Sequence, residues 1–327
     1  MPSRISGKDA PPPSSPRNTD GDQKISQIIR FASPYLQGKD EALRLALLTF
    51  FSQGHLLIED FPGLGKTTLA IALAKILGLS FGRIQCTSDL LPTDITGLSI
   101  YNKNTGEFEF HPGPVFNNIV LVDEINRATP KTQSALLEAM GEKQTTIEGK
   151  TYKLPRPFFV IATQNPVEQF GTFPLPESQM DRFMMKIGLG YPSRTAERDI
   201  LRKGSKREDL YSIEPMMNRE EVLGIQEDLR EKVFLSDKIL EYVLDIVKGT
   251  RNSSYILAGL STRGVLAITS VARANAFFSG RDFVIPEDIK DVARNTVPHR
   301  VIFREEFENL DKWGIIQAII EQVPVPA

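Results

Sequence analysis

Short runs of consecutive apolar residues alternate in the first part of the chain with longer segments in which apolar residues recur every three or four positions. The runs are typical of strands buried on both faces of a parallel sheet, and the periodic segments are typical of amphipathic helices. The predicted strands lie at residues 56–58, 83–86, 119–123, 158–163 and 184–187. Because helices separate these strands, the pattern predicts an α/β fold with helices on both faces of a five-stranded parallel sheet.

From residue 191 onwards the periodicity is helical. Pro192 ends the strand region, and Ser193 can cap a helix. Helices are predicted at residues 193–201, 220–231, 236–250, 262–278, 286–295 and 310–322. A chain of 327 residues exceeds the usual size of one domain. We therefore predict an α/β domain at residues 24–190 and a smaller all-α domain at residues 191–327.

The first 23 residues are rich in proline and polar side chains, with consecutive prolines at Pro11, Pro12 and Pro13. Such a segment cannot bury enough apolar surface to offset the loss of chain entropy, so we predict that residues 1–23 are disordered. Helical periodicity begins near Ile25, and a second helix is predicted from Asp40.

A glycine-rich turn joins the first predicted strand to the periodic segment that follows it. Its sequence from residue 60 to residue 67 is Asp-Phe-Pro-Gly-Leu-Gly-Lys-Thr. This is typical of a phosphate-binding (Walker A) loop, although Asp60 stands where glycine is usual. We expect Lys66 to reach the β- and γ-phosphate oxygens of a nucleoside triphosphate and Thr67 to offer its hydroxyl to Mg²⁺. The residues of this segment expected to bind the nucleotide are Pro62, Gly63, Leu64, Gly65, Lys66, Thr67 and Thr68.

Two carboxylates, Asp123 and Glu124, stand at the carboxyl end of the third predicted strand. Acidic residues at the tip of a buried strand are costly unless they bind something. We expect Asp123 to hold Mg²⁺ directly or through water. We expect Glu124 to orient and deprotonate the water that attacks the γ-phosphate. Many non-hydrolysing or kinase-type sites do not need the second carboxylate, so the pair favours hydrolysis.

Further segments follow in a fixed order. They are Gly-Pro-Val-Phe at 113–116, Asp-Glu-Ile-Asn-Arg-Ala at 123–128, Lys-Thr-Gln-Ser-Ala-Leu-Leu-Glu-Ala-Met at 131–140, Ile-Ala-Thr-Gln-Asn-Pro at 161–166 and Leu-Pro-Glu-Ser-Gln-Met-Asp-Arg-Phe at 175–183. Together with the loop, they resemble the MoxR family of AAA+ ATPases from about residue 36 to about residue 303. The resemblance implies a P-loop AAA+ core with a five-stranded parallel sheet, and a smaller all-α C-terminal lid.

The resemblance also assigns three residues outside the two motifs. Asn165 matches the sensor-1 residue, whose amide can bond the γ-phosphate and the attacking water. Arg182 matches the arginine finger, which reaches the γ-phosphate of a neighbouring subunit. Arg263 matches sensor 2 in the lid, although Thr262 replaces the proline that usually precedes it.

The resemblance further implies a homo-oligomer that closes as a hexameric ring. ATP hydrolysis would drive chaperone-like remodelling or maturation of client proteins, in some cases with insertion of a metal cofactor. A protein with a von Willebrand factor A domain is an expected partner. No residue identifies the client, the ring size or the groups that contact adenine, and the roles of Arg127 and Glu138 do not follow from the sequence.

Two short alternating segments, residues 97–110 and 145–152, each surround a turn and predict β-hairpins. In related motors such hairpins point towards a substrate or a pore, which makes them candidate force-transmitting elements. They are equally compatible with surface hairpins that have no function of their own.

The charge balance does not favour nucleic acid as a partner, because Lys and Arg together number 39 against 41 Asp and Glu. One alternative is nevertheless a DNA-linked AAA+ motor, which would need basic hairpin tips. Lys103 and Lys150 are present, but Glu107, Glu109 and Glu148 offset them. A second alternative is a nucleotide switch that does not hydrolyse ATP.

The remaining composition indicates a cytoplasmic protein. Cys86 is the only cysteine, which excludes an intrachain disulfide framework. His55, His111 and His299 are far apart in sequence and show no metal-binding spacing. No apolar run is long enough to span a bilayer, and the N-terminus lacks the apolar core of a signal peptide, so we expect no membrane insertion.

Overall fold

The computed structural model describes residues 19–167, 171–307 and 309–326. Internal contacts divide them into two compact units. The first unit is Gln27–Glu227, and the second is Asp228–Ala327 together with the described N-terminal residues up to Ser26. None of the described helices is both long and apolar enough to cross a membrane.

The strands match the predicted sheet closely. They are β1 (Leu56–Glu59), β2 (Phe81–Gln85), β3 (Gly97–Asn102), β4 (Glu107–Pro112), β5 (Ile119–Asp123), β6 (Gln144–Ile147), β7 (Lys150–Lys153), β8 (Phe159–Gln164), β9 (Met185–Ile187), β10 (Ile256–Ala258) and β11 (Ile302–Phe303). Five of them form one parallel sheet in the order β2-β5-β8-β1-β9. The predicted five-stranded parallel sheet is therefore confirmed.

The helices cover this sheet and build the second unit. They are α1 (Thr19–Ala32), α2 (Asp40–Phe51), α3 (Lys66–Ile76), α4 (Pro92–Thr96), α5 (Pro130–Glu142), α6 (Glu177–Met180), α7 (Arg194–Lys203), α8 (Arg219–Lys232), α9 (Asp237–Asn252), α10 (Thr262–Phe278), α11 (Pro286–Thr296) and α12 (Lys312–Gln322). Short 3₁₀ turns lie at Pro114–Phe116, Ile125–Arg127, Glu208–Ser212, Pro298–Arg300 and Glu305–Phe307.

The core lies on both faces of the sheet. Every residue of β5 is buried, which is why this strand appears as a continuous apolar run. On one face Leu136 and Leu137 of α5 belong to the same buried cluster as Val120. Elsewhere in the core the ring of Phe50 in α2 meets that of Phe159 edge to face, with centroids 5.4 Å apart. Packed side chains thus support the sheet whose carboxyl edge carries the loops that follow its strands.

The register of the sheet brings the ends of its strands together. Gln85 pairs with Asp123 across β2 and β5, and Ile58 pairs with Thr163 across β1 and β8. Because these strands are parallel, their carboxyl ends lie at one edge of the sheet. The loop after β1 and the acidic end of β5 therefore meet at this edge.

Both predicted hairpins are present. β3 pairs with β4, and β6 pairs with β7, each antiparallel. The rings of Phe110 in β4 and Tyr152 in β7 stack with their centroids 4.1 Å apart, so the two hairpins contact each other.

Two boundaries differ from the sequence prediction. Residues 1–18 of the predicted disordered tail lie outside the described residues, whereas residues 19–23 belong to α1. No proline follows Pro16 before Pro34, so nothing stops the helix from extending upstream of Ile25. Contacts also group residues 191–227 with the sheet rather than with the C-terminal helices. One reason is that Gln226 donates from Nε2 to the backbone oxygen of Phe50 at 3.0 Å.

The second unit contains the predicted C-terminal helices and one element that the helical prediction omitted. β10 and β11 pair as a short antiparallel sheet. Within the helices, Arg281 donates from both Nη atoms to the carboxylate of Asp288 at 2.7 Å. Asp288 is only 1% exposed and also accepts from Asn275. This network fixes the turn between α10 and α11.

Candidate functional site

The loop between β1 and α3 has the backbone that a phosphate-binding loop requires. Gly63 and Gly65 have φ of 82° and 94°, in the left-handed region that favours glycine. A Cβ built on either residue meets no atom within 4 Å, so the backbone angle and not a lack of space requires glycine here. Lys66 and Thr67 open α3, where the first backbone N–H groups have no partner within the helix. These groups can bind an anion.

Asp60, which departs from the usual loop pattern, is an anchor for the loop. Its side chain is buried, and Oδ2 accepts backbone N–H groups of Leu189 at 2.7 Å and Gly190 at 2.6 Å. Oδ1 accepts the N–H of Phe61 at 2.8 Å. Lys39 donates from Nζ to the oxygen of Leu189 at 3.1 Å, and burial lowers the pKa of Lys39 while Asp60 opposes that shift. The carboxylate thus ties the start of the loop to the segment after β9.

Lys66 lies near three carboxylates. Its Nζ donates to the backbone oxygen of Asp60. Burial lowers the pKa of Lys66, while Asp60, Asp123 and Glu124 act to raise it. These surrounding negative charges favour the ammonium form that a phosphate ligand needs.

Asp123, the last residue of β5, is held from two sides. Its Oδ2 accepts from Arg83 Nε at 2.9 Å, and its Oδ1 accepts from Thr163 Oγ1 at 3.3 Å. Arg83 lies on β2, and Thr163 lies on β8. Asp123 is therefore positioned by both strands that flank it.

Glu124 follows in an unusual backbone conformation. Its φ of 56° and ψ of 52° place a non-glycine residue in the left-handed region. Its N–H donates to Thr163 Oγ1 at 2.9 Å, which supports this conformation. Its Oε2 accepts from Arg127 Nη1 at 3.1 Å and from Gln85 Nε2 at 3.4 Å. Arg127, whose role the sequence left open, is thus a partner of Glu124.

These groups line one cavity of about 360 Å³. Its lining residues are Pro62, Gly63, Gly65, Lys66, Thr67, Thr68, Arg83, Gln85, Asp123, Glu124, Thr163, Asn165, Ser205 and Arg207. Asn165 lies just beyond β8, where its Oδ1 accepts the N–H of Val167 at 3.2 Å. Most of the predicted loop residues, both carboxylates and Asn165 are therefore brought together. A second cavity of about 330 Å³, between α4, α5 and the β6–β7 hairpin, contains none of them.

Three predicted site residues, Leu64, Arg182 and Arg263, do not line this cavity. Arg182 donates from Nη1 to the backbone oxygen of Leu137 at 2.8 Å. It also passes close to Gly141, where an added Cβ would lie 2.5 Å from Arg182 Nη1. Arg263 lies in the second unit as the second residue of α10, a helix capped by the Ser261 hydroxyl.

Five polar residues of the cavity were not predicted from the sequence, namely Arg83, Gln85, Thr163, Ser205 and Arg207. A signal existed for the first two. β2 alternates buried and outward-facing residues, and its outward positions carry Arg83 and Gln85 at the end that adjoins Asp123. Nothing in the local sequence marks Arg207, which follows α7.

The donor set fits a magnesium ion bound together with a nucleotide. Among the described residues no cluster of three or more His, Cys, Asp or Glu side chains could hold a metal by itself. Asp123 and Thr67 offer oxygen ligands at this cavity. Mg²⁺ prefers oxygen and commonly takes one or two protein ligands, completing its shell with water and phosphate oxygens.

Comparisons with known proteins agree with this geometry. Residues 55–185 match the model of the ATPase family associated with various cellular activities (AAA), and residues 248–322 match that of the AAA lid domain. Chaperone MoxR1 of Mycobacterium tuberculosis is 38% identical over 88% of this chain and 79% of its own length. The uncharacterised protein YeaC of Bacillus subtilis is 45% identical over 92% and 95%, respectively.

A solved structure shares the fold. The crystal structure of a candidate ATPase from Cytophaga hutchinsonii superposes with a TM-score of 0.87 at 42% sequence identity. The match covers 94% of this chain and 96% of that protein. The fold of this chain is thus that of a known structure over nearly its whole length.

Proposed function

Because this chain belongs to the MoxR family of AAA+ ATPases, we propose that the cavity at the carboxyl edge of its sheet binds ATP with Mg²⁺ and hydrolyses it. The observation that carries this proposal is the convergence of Lys66, Thr67, Asp123, Glu124 and Asn165 on one cavity of about 360 Å³.

The loop and the start of α3 bind the triphosphate. Backbone N–H groups around Gly63 and Gly65 surround the phosphates, and Lys66 places its ammonium against the β- and γ-oxygens. Thr67 and Asp123 hold the metal. Bound Mg²⁺ supplies positive charge that stabilises the transferred phosphoryl group in the transition state.

Glu124 is the general base. It accepts a proton from the attacking water, while the amide of Asn165 orients that water towards the γ-phosphate. The Thr163 hydroxyl supports both carboxylates, since it donates to Asp123 and accepts from the Glu124 N–H. A non-hydrolysing switch has no need for this second, oriented carboxylate.

Arg182 completes the site of a neighbouring subunit. It does not line the cavity of its own subunit, and this supports its action on a neighbour. Arg263 contacts the nucleotide from the lid as sensor 2. Head-to-tail contacts of this kind generate a ring when they close, and we propose a hexamer.

The energy of hydrolysis is used to remodel or mature client proteins in the cytoplasm. Support for this step comes from MoxR1, a relative named as a chaperone. Insertion of a metal cofactor and a partner with a von Willebrand factor A domain remain part of the same proposal. The fold by itself does not identify the client protein.

The proposal is tested by Glu124→Gln. This variant keeps the size of the side chain but removes the base, so ATP hydrolysis falls by at least about 100-fold while nucleotide affinity stays unchanged. Phosphate release and binding of a fluorescent ATP analogue measure the two quantities. Glu241→Gln, an exposed residue of α9, is the matched control with normal hydrolysis. Wild-type protein that binds ATP without cleaving it would instead indicate a switch.

A further inference from the structure

We propose that Arg83 is a positioning residue that occupies the metal-binding carboxylate of Asp123 and is exchanged for the divalent cation when Mg²⁺ and nucleotide bind. This inference rests on the proposed function of the cavity. It adds a cation from β2 to the set of groups that control the site.

The geometry places Arg83 on the oxygen that a metal would use. Arg83 Nε donates to Asp123 Oδ2 at 2.9 Å. The other carboxylate oxygen, Oδ1, already accepts from the Thr163 hydroxyl. Since the Asp123 side chain is 11% exposed, few other directions of approach remain. A metal ligated by Asp123 must therefore compete with the guanidinium of Arg83.

Arg83 is able to leave. Its side chain is 48% exposed, and both Arg83 and Asp123 line the same cavity. Because the incoming cation takes the place of Arg83 on Asp123, the exchange leaves no buried carboxylate without a partner. A guanidinium released into this cavity stays beside the phosphate site, where its charge suits an anion.

The exchange also reaches Glu124. Arg83 Nη2 donates to Gln85 Oε1 at 3.1 Å, and Gln85 Nε2 donates to Glu124 Oε2 at 3.4 Å. A continuous hydrogen-bonded chain thus joins the metal ligand to the proposed base. When Arg83 leaves Asp123, Gln85 loses a partner and its hold on Glu124 is loosened. Metal binding at Asp123 is thereby coupled to the loosening of the hydrogen bond between Gln85 and Glu124.

The test measures how much metal strengthens nucleotide binding. Affinity for a fluorescent, non-hydrolysable ATP analogue is determined in Mg²⁺ and in EDTA with the full chain, and the ratio of the two affinities isolates the metal-dependent part. Arg83→Gln removes the competitor, so the ratio increases by about two- to fivefold. Arg83→Lys keeps a competing cation and restores a ratio near that of the wild type.

Two further variants make the result specific. Arg230→Gln is the control, because Arg230 is an exposed arginine that pairs with Glu231 and does not line the cavity. Its ratio stays at the wild-type value. Asp123→Asn lowers the ratio strongly, which verifies that the metal uses this carboxylate.

An unchanged or smaller ratio in Arg83→Gln, with Asp123→Asn still lowering it, overturns the exchange while leaving the proposed function intact. A rise of equal size in Arg230→Gln also overturns it, because removal of any arginine would then raise the ratio. Loss of analogue binding in the wild type under both conditions would instead contradict the proposed function itself.

Discussion

His55, immediately before β1, is a buried residue whose chemistry is set by its hydrogen bonds. Its Nδ1 accepts the N–H of Val160 at 3.0 Å, so the neutral ring carries its proton on Nε2, 3.2 Å from the oxygen of Met140. Burial lowers the pKa of His55 to about 4. The neutral ring thus joins the start of β1 to β8 and to α5.

This pKa predicts a pH dependence of stability. In the unfolded chain the histidine has a pKa of about 6.5, so between pH 6.5 and 4 the unfolded state binds the proton and the folded state does not. The stabilisation of the folded state by neutral His55 is complete above pH 6.5 and is lost as the pH falls. Between pH 6.5 and 5 we expect the free energy of unfolding to decrease by about 2 kcal/mol from this residue.

Urea unfolding across this pH range measures the effect. His55→Asn has a lower free energy of unfolding than the wild type at every pH. Its free energy of unfolding falls less steeply between pH 6.5 and 5, because the proton uptake of His55 is absent. His111→Asn, which replaces an exposed histidine, keeps the wild-type slope. Equal slopes in the wild type and His55→Asn would contradict the assignment.

Residues whose place at the cavity follows from local sequence could be predicted, and residues whose place depends on a distant partner could not. Lys66 and Thr67 follow from the loop pattern, and Glu124 follows from the end of a buried strand. Asp60 looked like a defect because its partners, Leu189 and Gly190, lie more than a hundred positions away. Only the folded chain brings that carboxylate to those backbone groups.

At the scale of elements, buried apolar runs decided what the sequence revealed. The five sheet strands carry such runs and were located to within a few residues. β11 has only two residues, and two of the three residues of β10 are exposed, so neither strand carries a buried run. The boundary of the first unit was also not predicted, because residues 191–227 look helical whichever unit they pack against.

Two glycines within helices, Gly141 and Gly224, allow the same substitution to be compared at a crowded and at an open position. In α5, an alanine at Gly141 would place Cβ 2.5 Å from Arg182 Nη1, so the guanidinium, which donates to the Leu137 oxygen, must shift. In α8, Gly224 has no atom within 4 Å of such a Cβ. We expect Gly141→Ala to lower ATP hydrolysis by at least about tenfold, because arginine fingers contribute strongly to turnover.

Nucleotide binding and thermal unfolding complete this comparison. Gly141→Ala keeps wild-type affinity for the ATP analogue, since Arg182 does not line its own subunit's cavity. Gly224→Ala hydrolyses ATP normally and is more stable by about 0.5–1 kcal/mol, the usual gain of alanine over glycine in a helix. Normal hydrolysis in Gly141→Ala would show that the present position of Arg182 is unimportant.

At the scale of the whole molecule, we propose that each active site is shared by two subunits. In this proposal one subunit contributes the loop, the metal ligand and Glu124, and its neighbour contributes Arg182. Variants that lack different halves of the site should therefore complement each other in a mixed ring. If each site were built within one chain, two inactive variants could not restore each other's activity.

The most direct measurement mixes two inactive variants, Glu124→Gln and Arg182→Ala, and follows ATP hydrolysis. In randomly mixed rings at equal amounts, about a quarter of the sites combine an intact Glu124 with an intact neighbouring arginine. We expect hydrolysis to recover to about that fraction of the wild-type rate. A mixture in which the subunits exchange into common rings and hydrolysis stays as low as in either variant alone would contradict the account.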